Sequence, residues 1–254
     1  LLHGIVDEVV TEETAERGRT VRFRGRGCAA RLLDNESPPL VYQGVTLREI
    51  LRRHVTPYGI QCRERAETRA EGEFTVAAGS SQWKVLEDFC RVYGGFTPRF
   101  DRYGELLAVP ERDGGERLVI DDGTELLSLR RREDHYGVLS EVLVLDKSAG
   151  SQYIVRNEDF LRRGGSRRQV VCTPGRSTWQ AMRYTGEYQI RRSREAEVEI
   201  ELTLPGVREA EPGEIVELRR TGLGLSGTYR LSEVEILGSE SQGAITALRL
   251  RERM

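Results

Sequence analysis

The chain has 254 residues, 38% of them apolar and 31% charged, and a formal net charge of −2. That length suits one large domain or two to three small ones, and the near-neutral balance leaves no basic field to gather nucleic acid or an anionic membrane nonspecifically. No stretch approaches the ~20 consecutive apolar residues of a membrane span, and no secretory signal segment is apparent.

Residues 1–34 read as strands. "GIVDEVV" alternates, "ETAERGR" supplies a polar turn, and "TVRFRGRG" alternates again, with Val21 and Phe23 on one face and Arg22 and Arg24 on the other. This predicts an antiparallel hairpin with one wet face. A chain that starts directly on a strand is expected to have lost residues upstream. "CAARLLDNESPP" then leaves the sheet through a short helical turn. In "VTLREILRRHVTPYGI", Thr46 and Glu49 form a capping-box pattern, and Leu47, Ile50, Leu51 and His54 follow helical spacing. "IQCRERAE" and "FTVAAG" read as strands. A second helix follows, capped by Ser80 or Ser81, with Trp83, Leu86, Cys90 and Tyr93 on one face and Gly94-Gly95 as its stop. "TPRFD" and "ELLAVP" form a hairpin. Beyond residue 123 the pattern is mostly strand, interrupted by one helix near "STWQAMRYTGEYQI" with Ser177 and Gln180 as a second capping box. In "EAEVEIELTL", Val198, Ile200, Leu202 and Leu204 alternate with Glu197, Glu199, Glu201 and Thr203.

The strongest apparent chemical motif is G-x-G-x-x-G at Gly222, Gly224 and Gly227. A dinucleotide site needs a helix after those glycines, because the phosphates sit on free N–H groups of a helix start. "TYRLSEVEIL" has the alternation of a strand instead, so the glycines are expected to form a loop between antiparallel strands. Cys28, Cys62, Cys90 and Cys172 are widely spaced and read as structural thiols. His3, His54 and His135 lie in separate segments, and His54 fits a satisfied position on a buried helix face. Adjacent acids such as Asp121-Asp122 point to opposite faces of a strand and suit turns. Arg dominates the basic residues, with Lys only at Lys84 and Lys147; ion pairs across interfaces and a GC-rich coding sequence both account for this. The cluster Arg162, Arg163, Arg167 and Arg168 reads as a solvated face or an ion-paired subunit interface. No catalytic, cofactor-binding or metal-binding residue is singled out.

The order of segments carries a resemblance that no motif carries alone. "GIVDEVV…VRFRGRGCAARLLDNE", then "GVTLREILRRHVTPYGI", then "SSQWKVLEDFCRVYGGFTPRFDRYGELLAV", and finally "EPGEIVEL…GTYRLSEVEI…GAITALRL" resemble, collinearly, phage tail baseplate hub proteins of the late-control-protein-D type and the hubs of contractile tails and defective prophages. The acid of that family's GRD-like turn is replaced here by Gly27. The resemblance implies a mainly β fold with an α+β insert. Two tail-tube-like β-barrel domains are expected: the end of a first barrel over 1–38 and a second, bearing one helix, over 123–254, flanking a small α+β domain over 39–122. It implies a structural homotrimer that joins the tail tube to the central spike as a ring of near-sixfold symmetry. The expected partners are copies of the chain itself, the tail tube protein, the spike protein and the tape-measure protein, with DNA only as passing cargo and no membrane insertion. The place is the virion tail baseplate, assembled in the host cytoplasm. Glu197, Glu199 and Glu201 are candidates for an acidic lumen that repels DNA, and the loop of Gly222, Gly224 and Gly227 for a contact in the ring. A tail-associated cell-wall hydrolase and a monomeric carbohydrate- or peptide-binding β module are the competing expectations.

Overall fold

In the computed structural model, which describes residues 3–64, 67–110, 117–173, 176–240 and 243–253, the first element is a long antiparallel hairpin. It pairs β1 (Gly4–Thr14) with β2 (Gly18–Gly27) and carries a bulge at Asp7, between the pairs Val6–Gly25 and Glu8–Arg24. Gly18 takes the positive φ that its turn requires. The predicted dry face is not covered: Val6, Val9, Val21 and Phe23 are 52–68% exposed. Two strands alone have no second layer to bury their apolar side.

A compact α+β arrangement follows. It comprises α1 (Ala30–Leu33), β3 (Leu40–Gln43), α2 (Leu47–His54), β4 (Cys62–Glu64), β5 (Glu73–Val76), α3 (Gln82–Phe89), β6 (Arg99–Phe100) and β7 (Leu106–Ala108). The β3–β5 pair is antiparallel, β7 lies between parallel β4 and antiparallel β6, and the helices bury their apolar faces in one shared core. The expected capping box starts α2: Thr46 Oγ1 accepts from the Glu49 N–H at 3.3 Å, and the Glu49 carboxylate accepts from the Thr46 N–H at 2.8 Å. Ser81 caps α3, which continues as a π-helical turn over Cys90–Gly94 and stops at Gly95 in the left-handed region. Phe74 sits at the centre of the core, edge-on to Phe89 at 5.3 Å and to Tyr93 at 5.9 Å. His54 is buried and satisfied. Gln82 Nε2 donates to Glu36 O, so its Oε1 accepts from His54 Nδ1–H at 2.6 Å, which leaves Nε2 of the ring to accept from the Tyr42 hydroxyl at 2.8 Å.

The remaining strands form two sheets. One holds β10 (Glu141–Asp146) between β11 (Ser151–Arg156) and β12 (Arg168–Cys172). The other has six strands in the order β8 (Arg117–Asp121), β14 (Ile215–Arg220), β15 (Leu225–Ser239), β16 (Gly243–Glu252), β13 (Val198–Pro205), β9 (Ser128–Glu133). Only the β8–β14 pairing in it is parallel. Its two edges, β8 and β9, are consecutive in the chain, whereas a flat sheet would hold them ~24 Å apart. Leu127 N donates to Thr203 O on β13, while Arg220 on β14 reaches the carbonyls of Asp121 and Thr124. The segment joining β8 to β9 is thus held to both β13 and β14, and Ile120, Ile200, Leu202, Leu204, Val216, Leu218, Leu231, Leu248 and Leu250 of this sheet form one cluster. Among the described residues no ladder joins β8 to β9, so the sheet stays open where a closed barrel was expected.

Two further differences from the sequence reading concern helices. A short helix, α4 (Glu158–Arg162), adds to the one helix expected beyond residue 123, because Asn157 accepts from the Phe160 N–H and caps it. The long helix α5 (Trp179–Glu195) is capped by Thr178, whose hydroxyl accepts from Ala181 N–H, and not by Ser177. The Ser177 N–H donates instead to Asp146 Oδ2 at 2.8 Å, and Gln180 donates to the Tyr184 hydroxyl, so no box forms. By contacts the chain divides into two units. Unit 1 comprises Leu1–Pro110, Leu145–Gln152 and Cys172–Thr185, and unit 2 comprises Glu111–Val144, Tyr153–Val171 and Gly186–Met254. No helix among the described residues is long and apolar enough to cross a membrane.

Candidate functional site

The predicted site residues separate into three places on unit 2. The first is a buried carboxylate. Glu197 precedes β13, is only 6% exposed, and does not share the outward row of Glu199 and Glu201 that simple alternation implied. Arg163, at the end of α4, donates to both of its oxygens at 2.8 and 3.2 Å, and His135 Nδ1 lies 2.8 Å from Oε1. Two parallel guanidinium bonds to a carboxylate are among the stronger polar contacts available to a protein. The Arg163 hydrogen bonds hold the Glu197 carboxyl below its ordinary value, against the opposing effect of burial. The arrangement immobilises the backbone entering β13. Among the described residues no hydroxyl or thiol is hydrogen-bonded to His135, so the His–Glu pair lacks the nucleophile that a hydrolytic triad needs.

The second place is the outer face of the six-stranded sheet. Register sets Glu199 between Arg132 and Arg251, and Glu201 between Arg130 and Arg249. Directly opposed residues on paired strands share a face. Arg249 lies 3.8 Å from Glu199 and 3.6 Å from Glu201 and also pairs with Glu233, and Arg130 lies 3.5 Å from Glu201. The row that reads as acidic along one strand is a mixed lattice of Arg and Glu across three. Alternation shows which residues share a face but says nothing of what the neighbouring strands bring to it.

The third place holds the remaining arginines. Arg162 pairs with Asp159 on the exposed side of α4. Arg168, at the start of β12, lies 2.6 Å from Glu141, and Glu141 is also approached by Arg156 at 3.2 Å. Arg167 donates to the Tyr136 carbonyl and stacks over the Tyr136 ring at 4.9 Å. The cluster 162–168 is thus divided among separate partners.

The glycine motif is a hairpin turn. β14 and β15 pair antiparallel to Arg220–Leu225, and Thr221–Leu223 forms a short 3-10 turn closed by Gly224 at φ 64°. Gly222 is in that turn and Gly227 already in β15. Asp122 accepts from Thr221 and fastens the turn. No helix follows, so no bundle of free N–H groups exists there for a pyrophosphate.

One structural anchor escaped the sequence reading. Asp146 is buried, and its carboxylate accepts from Ser148 N–H, Ser148 Oγ–H, Ala149 N–H and Ser177 N–H at 2.7–3.0 Å. Burial acts to raise its pKa, yet these bonds together hold it below the usual carboxylate value. The local signal, D-x-S at Asp146–Ser148, is an ordinary turn pattern, and Ser177 lies far along the chain. Among the described residues no group of three or more His, Cys, Asp or Glu is arranged to hold a metal.

No protein-family model matches the chain, and no curated protein matches it in sequence. Solved structures do match. A tail protein from Neisseria meningitidis superposes over 99% of this chain and 80% of its own, with a TM-score of 0.81 at 18% identity. The 43 kDa tail protein of prophage MuSo2 from Shewanella oneidensis covers 99% of this chain and 79% of its own, with a TM-score of 0.79 at 16% identity. An Escherichia coli component of the type VI secretion system, described as structurally similar to the bacteriophage T4 tail proteins gp27 and gp5, covers 100% of this chain and 61% of its own, with a TM-score of 0.60 at 11% identity. The β-rich fold is therefore that of phage and prophage tail proteins.

Proposed function

We propose that the chain is a structural component of a phage or prophage-derived tail baseplate hub, joining the tail tube to the central spike as a ring-forming homotrimer. The observation that carries this reading is the superposition on tail proteins over 99% of the chain. Two features of the fold support it. The six-stranded sheet has two edge strands with no ladder between them among the described residues, and the β1–β2 hairpin exposes an apolar row on a strand pair that is marginal alone. Both suit a protein completed by neighbours. In this reading unit 2 supplies the barrel-like wall of the ring, the Arg–Glu face with Glu199 and Glu201 lines its channel, and DNA passes a surface of nearly balanced charge. The Gly222–Gly227 turn reaches a neighbouring ring component. The role is scaffolding and not catalysis, in the baseplate of a virion tail assembled in the host cytoplasm. The test is the mass of the full chain in solution, alone and with the tail tube protein, followed by electron microscopy. A threefold mass and a ring are expected. A chain that stays monomeric with its tube protein present, or that hydrolyses peptidoglycan and loses turnover with one polar substitution, overturns the reading.

A further inference from the structure

Unit 2 carries a cleft of about 320 Å³ with three arginines in its lining. Gly137 and Leu139 form one wall, Arg167, Arg168 and Gln169 a second, and the last turns of α5, with Gln189, Arg192 and Ser193, a third. Among the described residues no carboxylate lines it. One cleft of unit 1, about 390 Å³, differs in this respect, because Arg69 there stands with Glu67 and Glu71.

The charges in the basic cleft divide into two kinds. Arg168 is offset by Glu141, which lies largely buried beneath it and also serves Arg156. Arg167 and Arg192 are ion-paired with no described carboxylate; Arg167 rests on Tyr136, and Arg192 Nη1 donates to the Tyr188 hydroxyl at 3.2 Å. These neutral contacts orient both guanidinium groups without neutralising them. The cleft walls are fixed as well, since Ser193 Oγ accepts from Leu139 N–H and donates to Ile190 O, tying the loop to the helix. Two oriented guanidinium groups, with Gln169 and Gln189 beside them in the lining, leave the cleft rich in hydrogen-bond donors.

We propose that this cleft binds a short acidic segment of another protein chain through two neighbouring carboxylates, one on Arg167 and one on Arg192. Planar guanidinium forks match carboxylates bidentately. The volume suits a few side chains. A nucleic-acid track would require a longer run of phosphate contacts and aromatic side chains for stacking, and among the described residues no aromatic side chain lines this cleft. The proposal concerns a partner contact of unit 2 alone and stands whether or not the chain forms a trimeric ring.

The experiment uses the full chain and a fluorescein-labelled peptide of four alternating Asp and Glu residues flanked by Gly, followed by anisotropy in low salt. Saturable binding is expected. It should weaken about tenfold in Arg192→Gln, the size of effect that the loss of one charge-assisted contact brings, and again when the salt is raised to about 0.3 M. Gln189→Glu removes none of the ion pairs or hydrogen bonds described here and should weaken binding by a similar factor, so misfolding of one variant does not decide the outcome. The same peptide with Asn and Gln in place of the acids should not bind, and bound acidic peptide should slow amide exchange at Leu139. Equal binding by wild type and both variants, binding of the amide peptide, or tighter binding of a single-stranded oligonucleotide of equal charge overturns the proposal.

Discussion

At the residue scale the most informative position is Gly186, in the middle of α5. A Cβ there would stand 2.4 Å from Val155 Cγ2 and 3.3 Å from Val144 Cγ2. The glycine lets the helix backbone lie directly on two valines of the three-stranded sheet. Gly186→Ala gains about 1 kcal/mol in helix propensity but forces a methyl into a space already filled by stiff β-branched side chains, at a cost of about 1–3 kcal/mol. The packing cost should win, so the variant is expected to unfold at lower denaturant; an unchanged or raised midpoint would show that the sheet yields. Glu197→Gln keeps the shape and removes the charge. Arg163 then loses a bidentate partner but remains half exposed, so water recovers part of the loss. A loss of about 1–2 kcal/mol is expected, measured by chemical denaturation and set beside an Arg163→Gln variant and the double variant. If the two single losses simply add in the double variant, the two groups do not act as a pair.

At the element scale, what the sequence discloses depends on how local the cause is. The α2 capping box, the Gly224 turn and the strand alternation of β13 are each written within a few residues, and each is legible. The partner of Glu197 is not, because Arg163 comes from another element, 34 positions away. Nor is the cap of α5: Ser177 and Thr178 are equally good by type, and Asp146, 31 positions earlier, draws the Ser177 N–H away. The β1–β2 hairpin is legible as a hairpin, but its apolar row was expected to be covered, and alternation cannot reveal that no layer lies over it. That exposure makes a prediction. A two-stranded ribbon with both faces wet has little to hold its ladder closed. Amide exchange over Gly4–Gly27 is expected to be at least about tenfold faster than in α2, α3 and β13–β16 of the isolated chain, and to slow when the chain assembles. Protection in the isolated chain equal to that of the six-stranded sheet would mean that the ladder is stable without a covering layer.

At the scale of the whole molecule, the two units respond differently to acid. Unit 1 contains His54, whose burial, opposed by its bond to Gln82, holds its pKa below the ordinary 6.5. The folded state therefore binds fewer protons than the unfolded state between the lowered pKa and 6.5, and stability must fall as pH falls through that window. The slope is at most about 1.4 kcal/mol per pH unit for one proton. Unit 2 contains Glu197, held below its ordinary 4.5 chiefly by Arg163. Its contribution is complete above about pH 4.5 and is lost only below it. Both tryptophans, Trp83 and Trp179, belong to unit 1, and Trp83 stacks on Phe100 at 5.9 Å. Tryptophan emission thus reports unit 1, while far-ultraviolet dichroism reports both. In urea titrations at successive pH values, the emission midpoint should begin to fall below about pH 6.5, and the part of the dichroism change that belongs to unit 2 should follow only below about pH 4.5. His54→Gln should be less stable than wild type at pH 7.5 and should lose the slope that begins below pH 6.5, since it carries no proton to take up. A wild-type emission midpoint that stays level across that window would mean that the folded state takes up the proton on His54 at no cost, with the Tyr42 hydroxyl turning from donor to acceptor and burial no longer opposing the charge.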